Sequence, residues 1–328
     1  MISVHLWDDN HKFDYYLQLK RKVTIVQGDS GVGKSLFVNL SEQSITDNSI
    51  HFDCNLRLSI LSPTDWMSFS GKNCVIPIDE YHPLLQSGDC LRFFEKTNCY
   101  FIVITRKLLA WFPCQPEDIY LMIKSHNKRT LIPAFNLKEE NYQKPDLVVT
   151  EDGGAGYKFY KLLWSSLDFP VISSYGKENL VAVVDRQYRS KNSTLIIADR
   201  FGFGAVMGFM LKYVNTGSVN LFLPNSFEWL LLKSEMFCEY NDVREFIKSV
   251  ETSEFSTEVN YEVRTTKFLK SITEGCPCHY KKEELGLCYK VPCCHRKGPS
   301  CKFRINGDKL QILFSAYIDK FLFMDGNV

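Results

Sequence analysis

The chain has 328 residues, of which 45% are hydrophobic and 14% aromatic. This is enough for two domains of ordinary size, each with an apolar core. The 39 Lys and Arg residues nearly balance the 38 Asp and Glu residues, so no whole-chain charge attracts nucleic acid or a membrane. The first residues lack a secretory signal, and the most apolar window, 201–211, is too short to cross a bilayer. We therefore expect a globular, cytoplasmic protein with no membrane partner.

The first predicted elements are a β-hairpin over residues 2–20 and a buried strand over 23–26. The strand leads into a glycine-rich segment that has all four fixed positions of the pattern G-x-x-x-x-G-K-[ST], followed by the apolar face of a helix. Its residues are Gly28, Asp29, Ser30, Gly31, Val32, Gly33, Lys34 and Ser35. An ordinary glycine turn before a helix is the alternative reading.

The chemistry of phosphate binding explains these residue types. Glycines let the main chain approach phosphate oxygens closely, and a helix N-terminus directs unpaired N–H groups at them. We expect Lys34 to contact the β- and γ-phosphates of ATP and the Ser35 hydroxyl to bind Mg²⁺. The pattern does not distinguish ATP from GTP.

Two further strands in this half of the chain end in polar residues. After short strand candidates at 50–53 and 58–61, an apolar run from Cys74 ends at Asp79 and Glu80. It resembles the second nucleotide-binding motif of P-loop ATPases, which implies that Asp79 holds Mg²⁺ through water and Glu80 orients the attacking water. A helix at 84–96 precedes a strand at 100–104, and Thr105 then stands where many of these ATPases have a γ-phosphate sensor. For these three residues a simple polar strand end is the alternative.

The alternation of strands and helices predicts an α/β fold with a compact, parallel sheet for a P-loop ATPase domain over 1–138. Pro77 leaves the pairing of its strand open, because proline removes a ladder donor. A linker with two prolines is predicted at 131–145.

A second α/β segment begins near residue 146. Glu151 follows its first predicted strand and Asp199 ends its third, and ligands collect at the C-terminal edge of parallel sheets. Glu151 with Gly153 and Gly154, the Gly-Lys-Glu-Asn-Leu turn at 176–180, and Asp199 resemble the TOPRIM domain of topoisomerases, primases and the OLD family of ATPase–nucleases. The resemblance covers about 146–235, within a domain predicted at 146–240. It implies Mg²⁺-dependent nucleic-acid processing with Glu151 and Asp199 as catalytic ligands.

This chain departs from the TOPRIM pattern at its third strand. The family has Asp-x-Asp there, whereas this chain has Asp199-Arg200-Phe201, so the second acid is missing. Glu228 could supply a further metal ligand, or it could be an acid at a helix start favoured by the helix dipole. The domain is therefore open to three readings: a nuclease, a degenerate structural relative, or another α/β domain.

The region 241–328 combines predicted amphipathic helices over 241–272, a cysteine-rich loop over 276–301 and a helix over 310–323. The loop's ligand types suit tetrahedral Zn²⁺, although free thiols are the alternative. Its candidate ligands are Cys276, Cys278, His279, Cys288, Cys293, Cys294, His295 and Cys301. Between 276 and 304 seven Lys and Arg residues face two Glu residues, which gives a net +5. This basic loop could bind DNA or RNA, or simply be solvated.

Six other cysteines lie singly in apolar segments and are expected to be buried thiols. They are Cys54, Cys74, Cys90, Cys99, Cys114 and Cys238. Together the motifs predict an ATPase fused to a TOPRIM-like domain acting on nucleic acid, and family analogy suggests a role in defence against mobile elements. The alternative is a nucleotide-dependent switch or scaffold that binds a protein partner. The sequence leaves oligomerisation open.

Overall fold

The computed structural model describes residues 2–106, 112, 114–135, 145–165, 170–234, 237, 241–252, 261–275, 279–286 and 289. The chain divides into two compact units, the first made chiefly of Met1–Asn136 and the second beginning at Leu137. In the described residues the fold is α/β, with one large mixed sheet and one small parallel sheet. The predicted α/β class is confirmed at this level.

Unit 1 carries the large sheet, whose nine described strands lie in the order β4-β1-β2-β9-β8-β3-β7-β6-β5. Its strands are β1 Ile2–Asp8, β2 Asp14–Leu19, β3 Val23–Gln27, β4 Ile50–Cys54, β5 Arg57–Leu58, β6 Cys74–Asp79, β7 Tyr100–Ile104, β8 Ile119–Ser125 and β9 Lys128–Pro133. Its helices are α1 Lys34–Gln43, α2 Pro83–Gln86 and α3 Cys90–Lys96.

The parallel sheet predicted for this unit is confirmed only in part, because its sheet is mixed. The strands β8, β3, β7, β6 and β5 are mutually parallel, but β1 is antiparallel to β2 and β4, and β8 is antiparallel to β9. The cause is local, because short turns join β1 to β2 and β8 to β9, and strands joined so tightly must be antiparallel. The start of the predicted linker, 131–133, also belongs to β9.

The interior position of Pro77 in β6 has a simple explanation in the strand pairing. Pro77 pairs with Ile102 of β7. The carbonyl of Val75 accepts a hydrogen bond from Ser59 N at 3.0 Å, so Val75 directs its main chain to the β5 side of the strand. Pro77, two residues on, faces that same side beyond the end of β5. Its missing N–H therefore costs no ladder bond.

Strand alternation builds two apolar clusters in unit 1. Val26 and Ile102 belong to the cluster that contains Phe37 of α1. Their chain neighbours Ile25 and Phe101 belong to a second cluster, with Phe94 of α3. Of the cysteines predicted to be buried thiols, Cys74, Cys90, Cys99 and Cys114 are buried, Cys54 is half-buried, and Cys238 lies outside the described residues.

Unit 2 carries a fully parallel sheet with the strand order β11-β10-β12-β13. Its strands are β10 Leu147–Thr150, β11 Val171–Ser173, β12 Thr194–Ile197 and β13 Val219–Phe222. Its helices are α4 Ala155–Leu163, α5 Lys177–Arg189, α6 Gly204–Asn215, α7 Phe227–Lys233, α8 Asn241–Thr252 and α9 Tyr261–Ile272. Because the four strands are parallel, their C-terminal ends lie along one edge of the sheet.

No helix in the described part of the chain is long and apolar enough to span a membrane. The helix predicted at 310–323 lies outside the described residues.

Candidate functional site

The segment predicted to bind phosphate, Gly28–Ser35, is called the phosphate loop here; it lies between β3 and α1 and depends on glycine backbone conformations. Gly28, Gly31 and Gly33 have φ values of 152°, 83° and 103°, which side chains of L-residues rarely tolerate. A Cβ on Gly28 would lie 2.9 Å from the Met122 carbonyl oxygen, and one on Gly33 would lie 2.7 Å from the hydroxyl of buried Tyr15. Glycine is therefore required at Gly28 and Gly33 both by the backbone angle and by the lack of space for a Cβ atom.

Lys34 is the first residue of α1 and its side chain turns back over the loop. Its Nζ donates to the carbonyl oxygens of Gly28 at 2.6 Å and Asp29 at 2.8 Å. Burial of the ammonium and the nearby Arg106 lower its pKa, while Glu80 and Asp29 oppose that shift. Phosphate oxygens would compete with these two carbonyls for the ammonium. Ser35, the next residue, is exposed.

The predicted strand-end residues lie at the same edge of the sheet as the phosphate loop. Strand β7 lies between β3 and β6, and all three are parallel, so Thr105 and Asp79 follow the same edge as Gly28. Thr105 is only 2% exposed, and its N–H donates to the Val26 carbonyl at 3.0 Å. Asp79 accepts from the N–H of Tyr81 at 3.3 Å.

Glu80 is held by Arg106, the residue after Thr105. One carboxylate oxygen lies 3.1 Å from the guanidinium Nε, and the other accepts the Arg106 main-chain N–H at 2.7 Å. The Arg106 side chain is 70% exposed. Its guanidinium can therefore leave Glu80 for another partner at little steric cost.

The acidic edge of unit 2 is a group of five carboxylates from four separate segments. They are Glu151 and Asp152 after β10, Asp199 beyond β12, Glu228 in the first turn of α7, and Glu262 in the first turn of α9. Burial raises the pKa of Asp199 well above its usual value, and the negative charges of Glu262 and Glu228 raise it further. The carboxyl groups are therefore within electrostatic reach of one another.

Glu151 has one paired and one unpaired carboxylate oxygen. One oxygen lies 3.6 Å from Lys177 Nζ, whereas its Oε2 is buried without a hydrogen-bond partner. Burial raises the pKa of Glu151, Lys177 opposes the shift, and Asp152 adds to it. An unpartnered buried carboxylate oxygen is a position where a cation would be stabilising.

Glu228 lies at a helix start, as one of its two readings predicted, and its side chain is buried beside the other acids. It follows Ser226, whose hydroxyl caps α7 by accepting the Trp229 N–H at 3.1 Å. It is also 2% exposed and accepts a hydrogen bond from the Tyr280 hydroxyl at 2.8 Å. A helix-start acid is thus part of the acidic edge.

Lys282 places a positive charge among these acids. Its ammonium pairs with Glu262, and its carbonyl oxygen accepts the N–H of Ala155, at the start of α4, at 2.8 Å. Burial opposes the charged form, but Glu262, with Glu228 and Asp199, outweighs burial and raises the pKa of Lys282. The lysine thus neutralises part of the charge that a metal ion would neutralise.

The fit of the acidic edge to a metal ion is incomplete. Within the described ranges, no three His, Cys, Asp or Glu side chains are placed to hold one ion. The unpartnered Glu151 oxygen and the mutual repulsion of the acids favour a cation there, but the five carboxylates do not converge on a single position.

Three members of this arrangement were not among the predicted site residues. Asp152 directly follows Glu151, and its place at a strand end is a usable signal. Glu262 resembles any acid in the first turn of an amphipathic helix, and Lys282 resembles one more charge in the basic loop. Neither has a local signal.

Most of the predicted zinc loop lies outside the described residues. Of its eight candidate ligands only His279 is described; it is exposed, and its Nδ1 lies 3.3 Å from the Thr273 carbonyl oxygen. Cys276, Cys278, Cys288, Cys293, Cys294, His295 and Cys301 lie outside. Two lysines of the basic loop are described, and both are ion-paired: Lys281 with Glu284, and Lys282 with Glu262.

Comparison with protein-family models, with curated proteins and with solved structures finds no match to this chain.

Proposed function

We propose that the protein binds and hydrolyses ATP with Mg²⁺ at the phosphate loop, and that the nucleotide controls a Mg²⁺-dependent, TOPRIM-like unit acting on nucleic acid. The ATPase part of the proposal rests on one observation. Strand β3, the glycine loop and helix α1 follow one another directly, and Asp79, Glu80 and Thr105 lie at the ends of neighbouring strands. A role in defence against mobile elements belongs to the same proposal and rests on family analogy.

Each residue of the nucleotide site has a role in this proposal. The loop N–H groups and Lys34 bind the phosphates, and a bound Mg²⁺ would supply charge neutralisation at the phosphate oxygens. Ser35 and Asp79 are the residues that would hold the ion. Glu80 orients water once Arg106 moves from its carboxylate toward phosphate oxygens, and the exposure of Arg106 permits that movement.

A hydrolysis assay with Glu80→Gln tests the nucleotide half. The change keeps the size of the side chain and removes the charge, so ATP binding should persist while turnover falls about a hundredfold or more. Glu42→Gln, in the exposed face of α1, is the matched control and should leave turnover unchanged. Turnover that survives Glu80→Gln at the wild-type rate contradicts the assigned role.

The second half rests on the acidic edge. Glu151 and Asp199 carry the proposed catalytic role, with Glu228 and the newly found Asp152 and Glu262 as further carboxylates. Cleavage of plasmid and single-stranded DNA or RNA with Mg²⁺ or Mn²⁺ should be lost in Glu151→Gln. Absence of cleavage by wild type under every nucleotide condition would remove the nuclease proposal.

A specific observation favours the second candidate, a nucleotide-dependent switch or scaffold with a non-catalytic second unit and a protein partner. Lys282 already supplies a cation at the acidic edge, and the described acids form no three-ligand group. If the protein is such a switch or scaffold, Mn²⁺ should not bind unit 2, but ATP should still change the protease sensitivity of unit 2. Zinc in the cysteine-rich loop remains part of both candidates, and metal analysis of the full chain tests it.

A further inference from the structure

The loop between β11 and α5 presents an aromatic ring beside the acidic edge. Tyr175 is 74% exposed, although its main chain adopts φ 55°. A bulky residue in the left-handed region is an outlier, and such strain persists only where surrounding bonds enforce it. Tyr175 therefore combines a strained main chain with an exposed aromatic ring.

Surrounding hydrogen bonds do enforce this conformation. The hydroxyl of Ser173 accepts the Tyr175 N–H at 3.0 Å and donates to the Asp152 carbonyl at 2.7 Å. The next residue, Gly176, donates its N–H to the Glu151 carbonyl at 2.7 Å, and Ser174 Oγ donates to that carbonyl at 2.9 Å. The Tyr175 backbone is thus tied to the two residues that carry acids of the site.

The ring itself lies close to main chain on one side. A Cβ on Gly153 would lie 2.7 Å from Cε1 of Tyr175, so the absence of a side chain at Gly153 lets the ring approach the main chain closely. One side of the ring is supported while most of its surface faces solvent. Such an arrangement presents a flat aromatic face at low conformational cost.

We infer that Tyr175 is a stacking platform for an unpaired base of single-stranded nucleic acid, an inference that rests on the proposed function of the acidic edge. Bases in a duplex are already stacked, whereas a single strand has free faces for an aromatic ring. Lys177, two residues on, is partly exposed and lies 3.6 Å from Glu151, and its ammonium is a cation that a neighbouring phosphate could share with that carboxylate. The substrate class is therefore single-stranded DNA or RNA.

Fluorescence anisotropy of the full chain with labelled oligonucleotides, with Ca²⁺ in place of Mg²⁺, tests this platform. The probes are oligothymidylate, oligouridylate and an abasic oligomer that has the same backbone without bases. Tyr175→Ala should weaken binding of the first two by about tenfold, since one stacked base is worth about 5- to 150-fold, and leave abasic binding unchanged. Tyr175→Phe keeps the ring and should bind as wild type does. Comparing the first two probes shows whether DNA or RNA is preferred.

Two controls separate stacking from misfolding. Tyr175→Gly relieves the positive φ, so it should melt at the same or a higher temperature and still lose binding. Tyr188→Ala removes an exposed tyrosine at the other end of α5 and should leave binding unchanged. Equal binding by wild type and Tyr175→Ala, or no binding by wild type, overturns the inference.

The inference and the proposed function fail in different ways. Cleavage that depends on Glu151 but not on Tyr175 removes the platform and keeps the proposed function. Binding that depends on Tyr175 without any cleavage keeps the platform and removes catalysis.

Discussion

The phosphate loop of unit 1 and the acidic edge of unit 2 both lie at C-terminal ends of parallel strands, but they are built from different parts of the chain. The loop is one contiguous segment, and its shape comes from glycine φ angles and close main-chain contacts. The acidic edge collects side chains from four segments, and burial with mutual repulsion raises the pKa of Glu151, Asp152 and Asp199. A glycine loop at a helix N-terminus suits an anion, whereas a cation would stabilise the ionised acids of the second site.

The largest effect is expected from Gly33→Ala, which tests whether backbone shape defines the phosphate loop. At φ 103° the alanine is strained, and its Cβ would lie 2.7 Å from the Tyr15 hydroxyl. We expect ATP affinity to fall at least about a hundredfold, about 2.7 kcal/mol. A titration with fluorescent ATP measures it.

A rescue variant makes this prediction specific. In Gly33→Ala/Tyr15→Phe the hydroxyl is gone and the next Tyr15 atom is 3.6 Å away, so part of the affinity should return. Gly31→Ala, at φ 83° with no atom within 4 Å, is the matched control and should lose about tenfold from strain alone. If Gly31→Ala and Gly33→Ala lose the same affinity, steric contact with Tyr15 does not matter.

A smaller effect is expected at Asp118 in unit 1, a carboxyl group whose pKa is raised chiefly by burial. It serves as a comparison for the acidic edge, where the repulsion between carboxylates also raises the pKa. Asp118, the residue before β8 in unit 1, has its pKa raised to about 7 by burial, against the opposing charge of Arg21. The folded state therefore keeps a proton that the unfolded state releases above about pH 4. The contribution of Asp118 to the free energy of unfolding should therefore fall as pH rises from about 4 to 7 and then level off.

Urea unfolding across this pH range checks the Asp118 prediction. We expect Asp118 to account for a fall of about 2 kcal/mol in wild type, less than the full shift implies because Arg21 and water screen the charge. Asp118→Asn should remove that part of the slope, whereas Asp89→Asn, at an exposed site, should keep it. A slope unchanged in Asp118→Asn contradicts the assignment.

The smallest effect concerns the cation already present at the acidic edge. Lys282→Gln removes the charge paired with Glu262, so Mn²⁺ should bind about fivefold more tightly, about 1 kcal/mol. Isothermal titration calorimetry measures the affinity, and Lys281→Gln is the control because Lys281 pairs with exposed Glu284. Weaker Mn²⁺ binding in Lys282→Gln would show that the lysine supports the metal site rather than competing with it.

The difference between a contiguous loop and a site assembled from separate segments also decides how much the sequence can predict. The phosphate loop, the hairpin β1–β2 and the buried strands are local patterns, and a local pattern is readable along the chain. The order of the nine described strands in unit 1 cannot be predicted in this way, because β9 pairs with β2, more than a hundred residues away in the chain. At the acidic edge, Glu151 and Asp199 are predictable from strand ends, whereas Glu262 and Lys282 reach the site through long-range packing.

The most direct test of the central claim, that the phosphate loop binds a nucleotide through its phosphates, is calorimetric titration with ATP, ADP and AMP in Mg²⁺. We predict that affinity falls steeply from ATP to AMP, because the loop and Lys34 engage the β- and γ-phosphates. Lys34→Ala should remove the difference between ATP and AMP. Equal affinity of wild type for ATP and AMP, or an unchanged preference in Lys34→Ala, would contradict the account.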